Sequence, residues 1–248
     1  MVDRIAFYLF GIPVYWYGVM ISLGMLLGTL VALRRTTQYG IDEDQLLSFL
    51  LVTVPAAIVG ARMVFVFANW ETMAGDWPAI INLRQGGLSI HGAILGAIIA
   101  GAIYTWVKKI DFWTLADVCV PGLILGQAIG RWGNYFNQEA YGEPTDLPWA
   151  LYIDGAYRHP IFFYEFIWNL LVFAYLLSVS KKEKVRGAIF ARYLIGYSIG
   201  RFFIEGVRAD TLYWGRFRAG QVVSILLIIV GFLILYWLKR RGKGELLN

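Results

Sequence analysis

The chain has 248 residues, of which 58% are hydrophobic and only 16% are charged, and its mean hydropathy is +0.59. This composition excludes an ordinary soluble domain of this length, in which about a quarter of the residues are charged. The formal net charge of +5 does not indicate a nucleic-acid partner, because the basic residues gather between long apolar runs. The chain is therefore predicted to be an integral membrane protein.

Seven apolar runs are long enough to cross a hydrocarbon core, which takes about 20 helical residues. They are Val14–Leu33, Leu46–Ala68, Leu88–Val107, Phe112–Gly130, Ile161–Val179, Gly187–Ile204 and Val222–Leu238. We therefore predict an all-α polytopic membrane protein with seven transmembrane helices. Residues 1–248 are expected to form a single integral membrane domain.

The basic residues predict the orientation of these helices. Lysine and arginine concentrate after the first, third, fifth and seventh runs, and segments rich in these residues face the cytoplasm. The N-terminus is therefore expected outside, and the C-terminus is expected in the cytoplasm. The basic residues that carry this prediction, which should also contact anionic membrane lipid, are Arg34, Arg35, Lys108, Lys109, Lys181, Lys182, Lys184, Arg186, Lys239, Arg240, Arg241 and Lys243.

Three segments outside the runs give further expectations. Residues Met1 to Arg4 are not followed by a small-residue cleavage site, so we expect no removable signal peptide. Ile5–Ile12 is too short to cross the membrane and is expected to lie along the outer interface as an amphipathic segment. Residues 143–160 form the only sizeable insert, and its prolines and the Asp154-Gly155 turn predict a small outer cap with one hairpin between helices four and five.

Glycines recur at intervals of four in two of the runs. Gly24 and Gly28 lie in the first run, and Gly122, Gly126 and Gly130 lie in the fourth. Such spacing leaves a bare helix face that another helix or an acyl chain can approach closely.

The segment Gly130–Gly142 places a permanent cation, two amides and a carboxylate directly after an apolar run. Arg131 stays charged at any accessible pH, so at the end of a membrane span it needs an anion to meet. A lipid phosphate is the anion that a membrane offers most readily.

Other polar residues are expected at the same depth. The fourth and sixth runs both lead outward, so Arg131 and Arg201 should lie at one height, and a carboxylate at Glu165 implies an arginine partner. Glu205 and Arg208, four and seven residues beyond Arg201, would form one charged stripe on a continuing helix. The complete outer set is Tyr17, Arg62, His91, Arg131, Asn134, Glu139, Glu165, Arg201, Glu205 and Arg208. Asp117 and Arg192 lie in the inner half and are expected to form a structural pair or to be individually solvated.

Residues 130–142 resemble the signature G-R-x-G-N-[FY]-[FILV]-N-x-E-x-x-G of the bacterial prolipoprotein diacylglyceryl transferase family. Further blocks that look like the family include Gly60-Ala61-Arg62, His91 in Gly-Gly-Leu-Ser-Ile-His-Gly, and Gly200–Glu205 with Arg208. One departure is Ile161, where the family usually has a hydroxyl residue after the proline.

The resemblance implies an enzyme of the bacterial plasma (inner) membrane with its active site on the extracytoplasmic side. It would transfer diacylglyceryl from phosphatidylglycerol to the lipobox cysteine of a prolipoprotein signal peptide, forming a thioether and releasing glycerol 1-phosphate. The expected catalytic residues are His91, Arg131 and Arg201. The expected substrate-binding residues are Tyr17, Arg62, Arg131, Asn134, Asn137, Glu139, Gly142, Glu165, Arg201, Glu205 and Arg208.

The residues suit that chemistry. Charge develops on the departing phosphate, and arginines at one depth would stabilise it in the transition state. The attacking thiol has an ordinary pKa of about 8.5 and must lose its proton to react. His91 is the best general base in the chain, with Glu139 and Glu205 as alternatives.

Two other classes stay open from the residues alone, a membrane anion transporter using the same basic pocket and an assembly scaffold with purely structural charges. The chain lacks the motifs of a serine hydrolase, a zinc metalloprotease or a metal-dependent phosphotransferase. Its single cysteine, Cys119, excludes an intrachain disulfide and a cysteine-based metal site. We therefore expect neither a metal nor another cofactor.

Overall fold

The structure is a computed structural model that describes residues 3–83, 86–153 and 155–241. Three residues named above lie outside these ranges. They are Met1, at the start of the segment considered for a signal peptide, Asp154, predicted in the turn of the outer cap, and Lys243, predicted in the cytoplasmic tail.

Long helices account for most of the described residues. They are α1 (Trp16–Tyr39), α2 (Glu43–Ala68), α5 (Ile90–Lys108), α6 (Phe112–Asn137), α7 (Ile161–Ser180), α8 (Ala188–Glu205) and α9 (Ala219–Arg241), with two short helices, α3 (Trp70–Met73) and α4 (Trp77–Ile81), after α2. Helix α2 begins with a capping box, because the Asp42 side chain accepts the backbone N–H of Gln45 and the Gln45 side chain accepts the backbone N–H of Asp42.

Six of the helices in the described ranges are long and apolar enough to cross a membrane, namely α1, α2, α5, α6, α7 and α9. The prediction of a mostly helical, multi-pass membrane protein is confirmed. Helix α8 has 18 residues and carries Arg192, Arg201 and Glu205. The seventh crossing and the orientation stay predictions.

The strands form three antiparallel hairpins. Strand β1 (Ile5–Leu9) pairs with β2 (Ile12–Tyr15), β3 (Leu151–Ile153) with β4 (Ala156–Arg158), and β5 (Tyr213–Trp214) with β6 (Phe217–Arg218). The segment Ile5–Ile12 is therefore part of a hairpin that turns through Phe10 and Gly11, both with positive φ. The hairpin predicted within residues 143–160 is present as β3 and β4.

The chain divides into two compact units. The first comprises the described residues of Met1–Arg35 and Ala116–Asn248, and the second comprises those of Thr36–Leu115. The first unit has a core of buried side chains from α6, α7 and α8. These side chains are Val120, Ile124, Val172, Leu176, Ile189 and Tyr193.

Helices α1 and α6 of the first unit touch through their glycines. A Cβ atom added at Gly24 would lie 2.9 Å from the carbonyl oxygen of Gly126, and one added at Gly28 would lie 2.6 Å from that of Gly122. Both distances are too short for a methyl group, so only glycine allows the backbones this close. The bare face predicted from the glycine spacing is occupied by another helix.

Asp117 binds the beginning of α8, which corrects the expectation that it pairs with Arg192 or is solvated. Its carboxylate accepts the backbone N–H of Gly187 at 2.7 Å and that of Phe190 at 2.8 Å. These N–H groups have no partner within their own helix, so a carboxylate from α6 supplies the cap. Arg192 instead forms an ion pair with Glu183, in the segment between α7 and α8.

Candidate functional site

The first unit gathers five charged residues where α6 and α8 end and α7 begins. They are Arg131, Glu165, Arg201, Glu205 and Arg208, and we call them the arginine cluster. Because α6 and α8 run in the same direction and α7 runs against them, these chain positions meet at one end of the helices. The prediction that Arg131 and Arg201 lie at matching height is consistent with their sharing one carboxylate.

Glu165 is the centre of the arginine cluster and is only 4% exposed. One of its oxygens lies 2.9 Å from Nε of Arg131, and the other accepts a hydrogen bond from Nη1 of Arg201 at 2.7 Å. Nη1 of Arg208 lies 4.0 Å from Glu165. A buried carboxylate shared in this way helps to fix both guanidinium groups, because each arginine would lose a buried counterion by moving away from it. The arginine partner predicted for Glu165 is therefore present.

Glu205 holds Arg201 from the other side and is 2% exposed. Its Oε2 lies 2.6 Å from Nη2 of Arg201, and its Oε1 accepts a hydrogen bond from the Thr211 hydroxyl. A Cβ atom at Gly220 would lie 2.5 Å from the carboxyl carbon of Glu205. The first turn of α9 therefore covers this carboxylate closely, and only glycine fits there.

Arg208 lies beyond the end of α8, which corrects the prediction of one charged stripe on a continuing helix. Helix α8 ends at Glu205, and the following segment brings Arg208 back to Glu165. The guanidinium of Arg208 also binds Asp210 with two bonds, from Nε at 2.6 Å and from Nη2 at 3.0 Å. Burial opposes the charge on Arg208, but this hydrogen-bonded pair, with Glu165 and Glu205, raises the pKa of Arg208 above its ordinary value.

The second half of the 130–142 segment forms a tight polar turn. Gln138 and Ala140 both have positive φ, 53° and 55°, which is uncommon for residues with a side chain. Between them, Glu139 accepts a hydrogen bond from Nδ2 of Asn134 at 2.9 Å and one from Nδ2 of Asn137 at 3.4 Å. The two asparagines therefore bind this exposed carboxylate. Helix α6 continues to Asn137, seven residues beyond the predicted end of the fourth span.

Gly142 lies where three chain segments cross. Its backbone N–H donates to the carbonyl oxygen of His159 at 3.1 Å, and it forms an isolated antiparallel bridge with Arg208. A Cβ atom at this position would lie 2.5 Å from Cβ of His159 and 2.9 Å from the carbonyl oxygen of Val207. These contacts leave no room for a side chain at position 142. The bridge from Gly142 holds the backbone of Arg208 in place.

Tyr17 lies at the start of α1 against α6. A Cβ atom at Gly133 would come within 2.7 Å of the Tyr17 ring, so the glycine makes space for that ring. The neighbouring Trp16 stacks on Phe136 with ring centroids 4.8 Å apart. The structure thus brings Tyr17 to the same helix end as Arg131 and Asn134.

An apolar groove of about 450 Å³ runs between α7 and α8 beside the arginine cluster. Its residues alternate along the chain with those of the cluster, since Tyr164 precedes Glu165, Gly200 precedes Arg201 and Val207 precedes Arg208. The residues lining it are Phe163, Tyr164, Ile167, Trp168, Leu171, Gly200, Phe203, Ile204 and Val207. The arginine cluster and the apolar groove are therefore formed by the same turns of α7 and α8.

Arg62 and His91 belong to the second unit. Arg62 is 8% exposed and donates to the carbonyl oxygens of Ala79, Ile80, Gly86 and Gly87 at 2.5–2.8 Å. These bonds engage all three nitrogens of the guanidinium, so Arg62 holds the segment around α4 to α2. His91 is exposed on the first turn of α5.

Three residues that contact the arginine cluster were not predicted as site residues. They are Asp210 on Arg208, Thr211 on Glu205, and Arg218, whose Nη1 donates to the carbonyl oxygens of Glu205 and Arg208 at 2.8 Å each. All three lie in the connection between α8 and α9, where no periodic pattern shows which side chains turn inward. The available sequence signal was only that this short connection contains four charged residues, Arg208, Asp210, Arg216 and Arg218.

Comparison with known proteins bears on the chain as a whole. A sequence model of the prolipoprotein diacylglyceryl transferase family matches residues 4–237. The chain belongs to this family. A phosphatidylglycerol--prolipoprotein diacylglyceryl transferase of Clostridioides difficile (strain 630) is 44% identical over 244 residues, which cover 98% of each chain. One of Bacillus cereus (strain Q1) is 43% identical over 255 residues, which cover 98% of this chain and 94% of the relative.

Membership of the diacylglyceryl transferase family decides between the classes left open by the residues. The predicted family and the prediction of a transferase acting in lipoprotein maturation are confirmed. The roles of individual residues stay predictions.

Proposed function

We propose that the chain transfers the diacylglyceryl group of phosphatidylglycerol to the thiol of the lipobox cysteine in a prolipoprotein signal peptide. The observation that carries this proposal is the arginine cluster beside the apolar groove. An anionic phospholipid has the same two parts, a phosphate and acyl chains, joined through glycerol. The family and the printed names of the relatives support the same reaction.

The charge of the arginine cluster suits a phosphodiester. Three guanidinium groups face two buried carboxylates, Glu165 and Glu205, so one unit of positive charge is left over. A phosphodiester carries one negative charge, and arginine binds phosphate oxygens with two parallel hydrogen bonds. The acyl chains would then lie along the groove between α7 and α8, in contact with bilayer lipid.

The reaction breaks one bond and forms another at a glycerol carbon. The cysteine sulfur attacks the carbon that carries the phosphate, the carbon–oxygen bond breaks, and the bonding electrons leave with glycerol 1-phosphate. Negative charge grows on the departing phosphate, and the fixed guanidinium groups of Arg131 and Arg201 stabilise it more in the transition state than in the bound lipid. The thiol proton passes to a base, for which the sequence favours His91.

The proposal includes the placement of the protein. Helix α8 would be the seventh transmembrane helix, the N-terminus would lie outside, and the basic ends of α5 and α9 would face the cytoplasm. The arginine cluster would then face the extracytoplasmic side of the bacterial inner membrane. Secreted precursors present their lipobox cysteine on that side.

A reconstituted reaction tests the proposed function. The purified protein in vesicles of phosphatidylglycerol is mixed with a lipobox peptide, and mass spectrometry looks for a peptide heavier by one diacylglyceryl group. A peptide with serine in place of the lipobox cysteine, and vesicles of phosphatidylcholine alone, should give no product. Anion flux across the vesicles without any lipid-modified peptide would instead support a transporter.

A further inference from the structure

Arg208 differs from the other two arginines of the arginine cluster in the kind of carboxylate that binds it. Arg131 and Arg201 are held by Glu165 and Glu205, whose side chains are 5% and 3% exposed. The two-bond partner of Arg208 is Asp210, whose side chain is 46% exposed. Two of the guanidinium groups are therefore fixed by buried carboxylates, and the third is bound by a carboxylate at the surface.

We propose that Asp210 occupies the phosphate position of the site and that the phosphodiester of the lipid substrate replaces it on Arg208. This inference rests on the proposed function. Asp210 thus acts as a positioning residue. Its carboxylate holds the guanidinium group of Arg208 in place until the phosphodiester of the substrate binds there instead.

The geometry of the pair supports the exchange. Asp210 binds Nε and Nη2 of Arg208 with its two oxygens at 2.6 Å and 3.0 Å, which is the arrangement that two oxygens of a phosphate adopt on arginine. The backbone of Arg208 stays in place without Asp210. The Gly142 bridge holds it on one side, and Arg218 donates to its carbonyl oxygen on the other.

The charge balance supports it as well. Asp210 neutralises the one positive charge that the cluster has in excess over Glu165 and Glu205. When a phosphodiester monoanion enters, one anion leaves the guanidinium and one arrives, so no buried charge loses its partner. Asp210 returns to water at little cost, because it is already half exposed, whereas removing Glu165 or Glu205 from their arginines would leave buried ions unpaired.

The same exchange would assist the release of product. Cleavage leaves a phosphomonoester, which carries more negative charge than the diester and binds arginine more strongly. A carboxylate tethered two residues from Arg208 competes with that product at high effective concentration. Asp210 therefore favours the departure of glycerol 1-phosphate.

The test compares Asp210→Asn with the wild-type protein in the reconstituted reaction. The substitution keeps the shape of the side chain and removes its charge, so KM for phosphatidylglycerol and the inhibition constant of added glycerol 1-phosphate should both fall about three- to tenfold. Asp210→Glu, which restores a carboxylate, should bring both values back toward wild type. Asp146→Asn removes an exposed charge from the neighbouring outer segment and should change neither value by more than about twofold.

Two results would overturn the proposal. If KM of Asp210→Asn is unchanged or higher, Asp210 only orients Arg208 and does not compete with lipid. If Asp146→Asn lowers KM as much, the effect is a general one of surface charge. If the melting temperature shows that Asp210→Asn is poorly folded, Asp210→Ser and Asp210→Glu replace it. The inhibition constant of glycerol 1-phosphate should then be lower in Asp210→Ser, which lacks the carboxylate, than in Asp210→Glu, which keeps it, and equal constants would overturn the proposal. If the wild-type protein makes no lipid-modified peptide, the proposed function itself is wrong, and this outcome is distinct from the two above.

Discussion

Glu165 and Arg201 form a 2.7 Å ion pair that joins the start of α7 to the end of α8. The other oxygen of Glu165 lies 2.9 Å from Arg131 on α6, so a single carboxylate orders arginines from two further helices. Guanidinium groups that are held apart in this way need no rearrangement when negative charge develops near them. This preorganisation is the property that an electrostatic catalyst requires.

Replacing Glu165 with Gln should destabilise the protein by about 3 kcal/mol, because Arg131 and Arg201 would lose a buried counterion. The melting temperature of the purified protein in detergent measures this loss. Glu143→Gln is the matched control, since its side chain is 50% exposed and its ion pair with Arg218 is 3.7 Å long, and it should cost less than about 1 kcal/mol. Equal shifts in the two variants would show that Glu165 is not the centre of the arginine cluster.

Replacing Arg131 or Arg201 with Lys should lower the rate of lipid transfer by roughly 10²-fold or more. Lysine keeps the charge but carries it on a single ammonium nitrogen. It therefore cannot form the same ion pair with Glu165, and it cannot bind phosphate through two parallel hydrogen bonds. The measurement is turnover of labelled phosphatidylglycerol. Arg216→Lys, in the exposed turn between β5 and β6, should keep nearly full activity. Near-normal turnover in either cluster variant would contradict the proposed role.

Adding one methyl group at Gly142 should destabilise the protein by about 1–3 kcal/mol and lower its activity. The new Cβ atom would lie 2.5 Å from that of His159, and overpacking of this size forces the backbone to move. Because the bridge from Gly142 positions Arg208, the loss of activity should exceed the loss of folded protein. Gly18→Ala is the control, because the added group would meet no atom beyond its chain neighbours and its own helix backbone within 4 Å. A melting temperature equal to that of wild type would argue against the close contact.

The ion pair of Glu183 with Arg192 should make stability depend on pH. Burial opposes the charge on Glu183, yet the hydrogen bonds from Arg192 and from the backbone of Val185 and Lys184 lower its pKa below the ordinary value. A lowered pKa in the folded state gives stability that is present above the unfolded value of about 4.3 and is lost as the pH falls through the folded pKa. Glu183→Gln should therefore melt below wild type at pH 7.

As the pH falls through the lowered pKa of folded Glu183, the two melting curves should converge, because Glu183 then loses its charge in the wild type also. The difference at pH 7 should be of the order of 1 kcal/mol, since the pair is not fully buried. A constant difference across the whole pH range would mean that the substitution acts through packing.

His91→Gln should reduce the rate most at low pH if His91 takes the thiol proton. An ordinary thiol has a pKa of about 8.5, so at pH 6 almost none of it is thiolate and a base matters most. The pH–rate profile of the variant against wild type provides the measurement. Profiles that differ only by a constant factor would assign the base role to a carboxylate or to water.

Much of the arginine cluster could be predicted from the order of the helices. Arg131 and Arg201 each follow an apolar run that leads in the same direction, so their meeting at one end follows from parity. The partner of Glu165 followed from the cost of a lone carboxylate at that depth. The bare glycine faces of α1 and α6 also followed from spacing, because that pattern acts within a single helix, but the spacing left open whether each face meets a helix or an acyl chain.

The contacts that the sequence did not predict share a physical cause. Polar contacts between distant parts of the chain leave no local pattern in the sequence. Asp117 binds backbone groups 70 residues away, and backbone donors are invisible in a sequence. Arg208 was expected on a continuing helix although Gly206, directly after Glu205, is a helix-stop signal and forms the C-cap of α8. The hydrogen bonds of Arg62 likewise depend on carbonyl oxygens of a loop whose path only the fold determines.

Helix α8 is tethered at both ends, by Asp117 on its first backbone N–H groups and by Glu165 on Arg201. The two tethers come from α6 and α7, so α8 cannot slide along its axis like a piston without breaking one of them. Arg208, just beyond its end, is held in turn by the bridge to Gly142 and by the bond from Arg218. Any motion that admits a bulky lipid and discharges a small soluble product should therefore come from exposed side chains such as that of Asp210, while the three helices keep their positions.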